Sequence, residues 1–231
     1  MRLTILNPRN PEQAFPVLTK ALREPDGLLA IGGCLSQQRL LNAYRNGIFP
    51  WYNPGEPILW WSPDPRLVLF PDKLQVSRSL RKTLNKKCYT VTFDHAFNEV
   101  VSACAKPRKD DAGTWITDDI CKAYMLLHQQ GHAHSAEAWL DGELVGGLYG
   151  VVMGRVFFGE SMFYTHTDAS KVAFVRLVEQ LKNWDYQLID CQVHSKHLAS
   201  LGAVNCVRAE FVQLLNQYCE TSAHSLAWQA P

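Results

Sequence analysis

An acid and an amide stand two positions apart at the end of an apolar segment, YQLIDCQ. This segment predicts a buried strand, and side chains at positions i and i+2 of a strand point to the same face. Asp190 and Gln192 can therefore lie side by side at a strand end, where α/β proteins usually bind ligands. The carboxylate could then accept from the amide, orient it and polarise its carbonyl oxygen. The alternative is that Asp190 caps the following helix and Gln192 is exposed.

A second acid, Glu160, follows two aromatic residues in the segment VFFGESMF, which predicts a central strand. A buried carboxylate must be paired or neutralised, which makes it a candidate for function. A structural hydrogen bond to a neighbouring strand is an equally open interpretation. Cys191 could be a nucleophile, but its side chain is expected to point away from Asp190 and Gln192, as a small core residue.

Five histidines form two groups that invite a metal interpretation: His128, His132 and His134, and His194 and His197. Gly131 is expected to end a helix between the first two, and no carboxylate completes a ligand set at a recognised spacing, so no metal is predicted. The chain also has no GxSxG, P-loop or GxGxxG motif. It lacks the [RQ]xxGx[GA] turn that binds pyrophosphate in acetyl-CoA-dependent acyltransferases, which argues against acetyl-CoA as the acyl donor.

The elements that must position these groups follow from periodicity and turn signals. From residue 117 onward the predicted order is helix, three antiparallel strands, long helix, strand and helix. Thr117 caps the first of these helices, and Asp141-Gly142 predicts the first hairpin turn. The fold class is therefore α+β (mixed α/β), in the order found in the GCN5-related N-acyltransferase fold. A small N-terminal domain over residues 1–66, extending to about 90 on a wider definition, would precede a catalytic domain over residues 67–231.

Composition excludes several classes of protein. The chain has 231 residues, 47% of them hydrophobic, and a net charge of +1. No apolar run approaches the roughly 20 residues of a membrane span, and the N-terminus lacks the apolar stretch of a signal peptide. Seven scattered cysteines form no CxxC, which indicates reduced thiols. We expect a cytoplasmic protein with no membrane association, and nothing suggests more than a monomer.

Two local segments stand out. FPWYNPGEPILWWSPDPR, residues 49–66, is too rich in proline for a helix and too apolar for an ordinary loop. SRSLRKTLNKK, residues 77–87, has five basic residues and no acid. Arg78, Arg81 and Lys82 share one face at helical spacing. This face is either simply solvated or a patch for an anionic partner.

Several motifs, in order and spacing, resemble those of the leucyl/phenylalanyl-tRNA–protein transferases. They are GLLAIGG, GIFPWYNPGEPILWWSPDPR, SRSLRK, GTWIT, GHAHSAEAW, LVGGLYGV, GESMF, ASK and LIDCQ…HLASLGA. The resemblance covers residues 20–218. It implies an enzyme that moves Leu or Phe, and some Met, from aminoacyl-tRNA to the N-terminal Lys or Arg of a protein, which creates an N-degron for degradation. It also implies a small N-terminal domain beside a GCN5-related acyltransferase-like domain, with no cofactor.

The resemblance implies catalytic roles for three residues. Asp190 would orient and polarise Gln192, and Gln192 would position the attacking amine. A neutral amide is a poor base, so positioning is favoured over proton abstraction, and the proton could pass to a ribose hydroxyl or to water. Glu160 would hold the cationic N-terminal residue or its amine.

The resemblance also implies residues that bind substrate. Trp51 and Trp115 match positions that contact the terminal adenosine and its aminoacyl group, and Trp60 or Trp61 is expected to be structural. The remaining substrate-binding residues are Leu148, Phe157 and Leu177, which would line the amino-acid pocket, and Ser170 of the ASK motif. Some relatives have Met and Phe in place of Leu148 and Leu177. The basic face would contact the acceptor stem.

Two other functions remain possible from the sequence. One is an acyl-CoA-dependent N-acyltransferase on the same fold, against which the missing pyrophosphate turn argues. The other is a non-enzymatic RNA-binding module built on the basic helix and the tryptophans. In that case Asp190, Gln192 and Glu160 would be dispensable.

Overall fold

The computed structural model describes residues 3–107 and 114–229. Within them the strands are β1 (Thr4–Leu6), β2 (Leu28–Gly32), β3 (Phe49–Pro50), β4 (Leu59–Trp61), β5 (Arg66–Leu69), β6 (Thr90–Phe93), β7 (Ala133–Leu140), β8 (Glu143–Met153), β9 (Val156–Tyr164), β10 (Leu188–Gln192) and β11 (Val204–Cys206). The α-helices are α1 (Gln37–Arg45), α2 (Arg78–Lys86), α3 (Phe97–Cys104), α4 (Asp118–Gln129), α5 (Ala169–Asn183), α6 (Lys196–Ser200) and α7 (Arg208–Tyr218).

The strands form two sheets. The first has the order β1-β2-β4-β3, and the second has the order β11-β5-β10-β9-β8-β7-β6. In the second sheet β9 and β10 are parallel, whereas β7, β8 and β9 form an antiparallel meander. The mixed α/β class and the element order predicted from residue 117 onward are confirmed. The division into domains at residue 66 remains a prediction.

Local sequence signals explain where several helices and turns begin. The Ser36, Ser77 and Thr117 side chains accept hydrogen bonds from backbone N–H groups three residues on, as N-cap residues do. Asp141 and Gly142 both have positive φ, 50° and 83°, which is the requirement of the tight turn predicted between β7 and β8.

Residues 49–61 contain the two short strands β3 and β4, which periodicity did not indicate. Phe49 pairs with Trp61, and Pro50 pairs with Trp60. Trp60 is fully buried, and its Nε1 donates to the Gly32 carbonyl oxygen at 2.8 Å. The segment is apolar because it forms part of a sheet and its core.

Buried side chains form two hydrophobic clusters. The first combines residues of both sheets, including Trp60 and Phe158, with residues of α1, α3 and α4. The second lies between the larger sheet and α5 and includes Phe157. Phe157 and Phe158 are successive residues of β9 in different clusters, as the alternation of side chains along a strand requires. Within the described ranges, no helix has the length and apolar character needed to cross a membrane.

Candidate active site

A cavity of about 300 Å³ lies where the two sheets meet. It is lined by Phe49, Pro50, Trp51, Cys104, Lys106, Thr114, Trp115, Glu160, Ser161, Gln192 and Val193. Two tryptophans, a carboxylate and a carboxamide predicted from the sequence therefore share one cavity. Aromatic rings beside convergent polar groups are typical of small-molecule binding sites.

Asp190 lies behind this cavity and is fully buried. Its carboxylate accepts two hydrogen bonds from one guanidinium, from Arg66 Nε to Oδ1 at 2.8 Å and from Nη2 to Oδ2 at 2.6 Å. Arg66 itself lies between the rings of Phe49 and Phe211, with its guanidinium carbon 4.7 and 4.9 Å from the ring centroids. The pair therefore ties β5 to β10 through a rigid, two-point contact.

The predicted contact between the Asp190 carboxylate and the Gln192 side chain is wrong. Asp190 Oδ1 accepts from the backbone N of Gln192 at 2.9 Å. A register shift between these residues and the left-handed φ of 61° at Gln192 break the alternation of an ordinary strand. Asp190 thus holds the backbone on which Gln192 sits. Gln192 is also buried, and the expectation that it might be merely exposed is wrong.

The Gln192 side chain is held by the other acid. Its Nε2 donates to Glu160 Oε1 at 2.9 Å. An ionised carboxylate is an acceptor only, so the amide nitrogen of Gln192 faces Glu160, and the carboxamide oxygen has no hydrogen-bond partner among the described residues. The amide is thereby oriented by Glu160 and anchored by Asp190.

Glu160 has two further partners, both phenols. Tyr44 Oη donates to Oε1 at 2.8 Å, Tyr124 Oη donates to Oε2 at 2.7 Å, and the two phenol oxygens lie in contact with each other. Burial raises the pKa of Glu160 to about 7, although the two phenol hydrogen bonds act in the opposite direction. The carboxyl group can therefore change its protonation state near neutral pH.

The two phenols and the Cys191 thiol are held neutral. Burial, followed by the charge of Glu160, raises the pKa values of Tyr44 and Tyr124 well above their ordinary value. Burial also raises the pKa of the Cys191 thiol strongly. The thiolate is thus disfavoured, which supports the interpretation of Cys191 as a structural residue.

Trp51 and Trp115 lie together on the cavity wall. Trp51 is 43% exposed, which leaves part of its ring available to a ligand. Its other contacts fix it: the Trp51 and Trp61 ring centroids are 5.8 Å apart, and Trp61 Nε1 donates to the Trp51 carbonyl oxygen at 2.6 Å. Trp61 thus supports Trp51, while Trp60 lies in the core.

The predicted amino-acid pocket is placed differently. Leu148, Phe157 and Leu177 are almost completely buried in the second hydrophobic cluster and are not among the residues that line the cavity. Ser170 lies in the first turn of α5 and is also buried. The structure therefore does not bring these four residues to the cavity wall, and their role in substrate binding stays a prediction.

The basic residues of α2 lie on the surface. Arg78, Arg81 and Lys82 are all exposed, and none forms an ion pair with the described part of the chain. Three exposed cations on one helix face are available to a polyanion. They are not part of the cavity wall.

One histidine group gains a carboxylate that the sequence analysis did not find. Asp94, His128 and His134 bring their potential ligand atoms within 4.8 Å of one another, so the expectation that no acid completes the set is wrong. His134 Nδ1 lies 2.6 Å from Asp94 Oδ2, and His128 Nδ1 lies 2.8 Å from the Ala133 carbonyl oxygen. The Nδ1 atom of each of these two histidines already has an oxygen partner. Hydrogen bonds therefore account for this cluster without an ion.

Sequence reasoning missed Arg66, Tyr44 and Tyr124. A signal existed for Arg66, since it begins the apolar strand RLVLF and a buried arginine requires an anionic partner. Each tyrosine lies on the apolar face of its helix, where a buried phenol needs a partner for its hydroxyl. Neither signal identifies the partner.

Comparison with known proteins gives matches along nearly the whole chain. A family model described as leucyl/phenylalanyl-tRNA protein transferase matches residues 68–216, and a model of that protein's N-terminal domain matches residues 33–64. The chain is 58% identical over 227 residues to the leucyl/phenylalanyl-tRNA–protein transferase of Methylococcus capsulatus, covering 98% of this chain and 97% of the relative. It is 59% identical over 214 residues to that of Nitrosomonas europaea, covering 93% and 91%.

Solved structures also resemble the chain, at low identity. A conserved protein of unknown function from Bacteroides thetaiotaomicron is 12% identical with a TM-score of 0.45, covering 62% of this chain and 60% of that one. A GCN5-related N-acetyltransferase from Kribbella flavida is 11% identical with a TM-score of 0.40, covering 70% and 57%.

Proposed function

The chain belongs to the leucyl/phenylalanyl-tRNA–protein transferase family, and on that premise we propose that it transfers Leu or Phe, and some Met, from aminoacyl-tRNA to the N-terminal Lys or Arg of acceptor proteins. The product would carry an N-degron and be degraded. One observation carries this proposal: a single cavity has two aromatic side chains beside the Glu160–Gln192 pair. The aromatic wall suits the donor's adenosine, and the polar pair suits a cationic acceptor.

The chemistry required of the protein is modest. An aminoacyl ester is already activated, so the enzyme must hold an amine beside it and manage one proton. An N-terminal amine has a pKa of about 8 and is a usable nucleophile once neutral. The free carboxamide oxygen of Gln192 is the group that accepts a hydrogen bond from this amine. Glu160 supplies the negative charge that favours a Lys or Arg residue.

Asp190 does not contact the reacting groups itself in this proposal. Asp190 is not among the residues that line the cavity, and its carboxylate accepts hydrogen bonds from Arg66 and from the Gln192 backbone. It fixes the unusual backbone conformation that places Gln192 against Glu160. Asp190 and Arg66 are therefore positioning residues for Gln192.

The donor is bound at two places in this proposal. Trp51 and Trp115 stack on the terminal adenosine, a contact worth about 1–3 kcal/mol per base and independent of sequence. Arg78, Arg81 and Lys82 contact phosphates of the acceptor stem, which adds affinity without base recognition. The pocket for the Leu or Phe side chain would involve Leu148, Phe157 and Leu177, with Ser170 at its edge, and would require these buried residues to open a space. Cytoplasmic location, a monomeric state and the absence of a cofactor remain part of the proposal.

The test of the function is a transfer assay. The protein is incubated with Phe-tRNA at pH 8 and a peptide that begins with Arg, and mass spectrometry detects a product longer by one Phe. A peptide of the same sequence that begins with Asp is the matched control. Transfer to the Arg peptide alone, reduced by several orders of magnitude in Asp190→Ala, supports the proposal. No transfer to either peptide contradicts it.

The basic face has its own test. Arg81→Ala/Lys82→Ala should weaken tRNA binding. It should also lower the slope of log Kd against log salt by about 1.8, because two phosphate contacts to a duplex are lost. Lys122→Ala/Lys182→Ala removes the same charge from exposed positions on α4 and α5 and should leave the slope unchanged. Equal slopes for the wild type and the α2 variant would remove this face from the binding site.

A further inference from the structure

The carboxyl group of Glu160 belongs to a closed ring of hydrogen-bonding groups. Tyr44 Oη and Tyr124 Oη each contact one of its oxygens, and the two phenols contact each other. The phenols come from α1 and α4, and Glu160 comes from β9. Three distant parts of the chain thus meet around one titratable group at the edge of the cavity.

A count of protons shows what this ring accommodates. With Glu160 ionised, each phenol donates its single proton to one carboxylate oxygen, and the contact between the phenols holds no proton. With Glu160 neutral, the added proton allows all three contacts to be hydrogen bonds, running from carboxyl to phenol, from phenol to phenol and back. In either state each polar atom of the ring has a partner, so gaining or losing a proton leaves no buried group unsatisfied.

From this geometry we propose that Glu160 is the proton acceptor of the transfer reaction, and that Tyr44 and Tyr124 are positioning residues that keep it able to exchange that proton. This inference rests on the proposed function. The neighbouring candidates are less suitable: the Gln192 carboxamide is neutral, and Asp190 is fully buried, is not among the residues that line the cavity and is paired with the permanent cation of Arg66. Glu160 lines the cavity and already touches the amide that holds the amine.

The step balances without any further reactant. The acceptor nitrogen bonds to the ester carbonyl carbon, and one of its N–H protons passes to Glu160. When the bond between that carbon and the terminal ribose oxygen breaks, the proton returns from Glu160 to the leaving oxygen, directly or through water. One ester bond is lost, one amide bond is formed, and nothing is oxidised or reduced.

The surroundings of Glu160 are compatible with such an exchange. Burial raises its pKa to about 7, the charge of Asp190 acts in the same direction, and Arg66 and the two phenols act against it. Lys106 and Cys104 are the other titratable residues of the cavity lining. Burial, followed by the charge of Glu160, raises the pKa of Tyr149 nearby. A carboxyl group with a pKa near the working pH is well matched to general base catalysis.

The test is the pH dependence of kcat/KM with Phe-tRNA and the Arg peptide. The free enzyme must have Glu160 ionised and the free peptide must have a neutral amine, so two ionisations limit the acidic side. Between pH 5.5 and 6.5 the plot of log kcat/KM against pH should have a slope of about two. Glu160→Gln should reduce kcat/KM by about 10²- to 10⁴-fold and reduce this slope to about one.

Variants that lack one tyrosine hydroxyl distinguish a positioning role of that residue from a role in packing alone. Tyr124→Phe or Tyr44→Phe removes a donor to the carboxylate, so the lower apparent pKa should move upward by about one pH unit. Tyr149→Phe is the matched control: Tyr149 is equally buried, packs against Tyr124, and its hydroxyl has no hydrogen-bond partner in the described part of the chain. It should leave the profile unchanged. Thermal unfolding verifies that each variant is folded.

The outcomes distinguish this inference from the proposed function. Wild-type transfer at pH 8 with a limiting slope of one on the acidic side would overturn Glu160 as the proton acceptor and leave the transferase function intact. Retention of wild-type kcat/KM by Glu160→Gln would also overturn it. An unshifted profile in both Tyr44→Phe and Tyr124→Phe would overturn the role of the ring. Absence of wild-type transfer at pH 8 would instead count against the function itself.

Discussion

Asp190 and Glu160 contact the same glutamine, yet their surroundings differ in kind. Asp190 is paired with the guanidinium of Arg66, a permanent cation, in a two-point contact. Among residues 3–107 and 114–229, the donors in direct contact with Glu160 are all neutral: two phenols and an amide. A charged partner stabilises one ionisation state and one geometry, whereas neutral donors permit both states. Asp190 therefore fixes the geometry of the site, whereas Glu160 can exchange protons within it.

The largest expected effect comes from removing the cation beside Asp190. Arg66→Met leaves a buried carboxylate without its charge partner, so the free energy of unfolding should fall by about 3–5 kcal/mol. Urea unfolding monitored by tryptophan fluorescence measures it. Arg45→Met is the control, because the Arg45–Glu220 ion pair is exposed and should contribute no more than about 1 kcal/mol.

Adding Asp190→Asn to Arg66→Met sharpens this result. The double variant has no unpaired buried charge, so it should regain part of the lost stability. It should not regain transfer, because the two-point contact with Arg66 that fixes the side chain of residue 190 against the Gln192 backbone is lost. If Arg66→Met lowers the free energy of unfolding by less than about 1 kcal/mol, the proposed difference between Asp190 and Glu160 is wrong.

A smaller effect is expected from the dependence of stability on pH. The pKa of Glu160 rises from 4.5 to about 7 on folding, so the folded state binds this proton more tightly than the unfolded state does. The contribution of Glu160 to the free energy of unfolding is therefore fully present below about pH 4.5. It is lost as the pH rises through about 7, by up to about 3 kcal/mol. Glu160→Gln should abolish this loss and be more stable than the wild type at pH 8.

Urea unfolding at pH 5 and pH 8 measures the difference. Glu179→Gln replaces an exposed glutamate and should follow the wild type at both pH values. If Glu160→Gln is instead less stable than the wild type at pH 8, the partners of Glu160 stabilise its ionised form, as Arg66 stabilises that of Asp190.

The smallest effects should come from the phenols. Tyr44→Phe and Tyr124→Phe should each lower the free energy of unfolding by about 1–2 kcal/mol at pH 8, since each removes a donor to a buried carboxylate. The loss of unfolding free energy in the double variant should differ from the sum of the two single losses by at least about 0.5 kcal/mol, because the hydroxyls share one network. Strict additivity would show that the two phenols act independently. Tyr149→Phe should change stability little.

Much of the second sheet could be predicted from the sequence because its signals are local. Thr117 marks the start of α4, Asp141-Gly142 closes a hairpin, and YQLIDCQ ends in Asp190 and Gln192, of which Gln192 lines the cavity. The short strands β3 and β4 could not be predicted, since two or three residues carry no periodicity. They exist because they pair with each other and because β4 also pairs with β2.

The partners of the site residues could not be predicted for a different reason. Arg66 and Asp190 are 124 residues apart in the chain, and Tyr44 and Glu160 are 116 apart. No local pattern encodes which buried arginine meets which acid. The contact expected between Asp190 and the Gln192 side chain was wrong because it assumed a regular strand, and the irregularity at Gln192 turns that side chain toward Glu160.

The most direct test of the difference between the two acids is a titration of Glu160 itself. The side-chain carboxyl carbons of all glutamates are labelled with ¹³C, and their chemical shifts are followed by NMR from pH 4 to pH 9. The resonance missing in Glu160→Gln belongs to Glu160, and the account predicts that it titrates with a midpoint of about 7. A midpoint at or below the ordinary value of 4.5 would contradict the account, because Glu160 would then be held ionised and could not serve as the site's exchangeable acid.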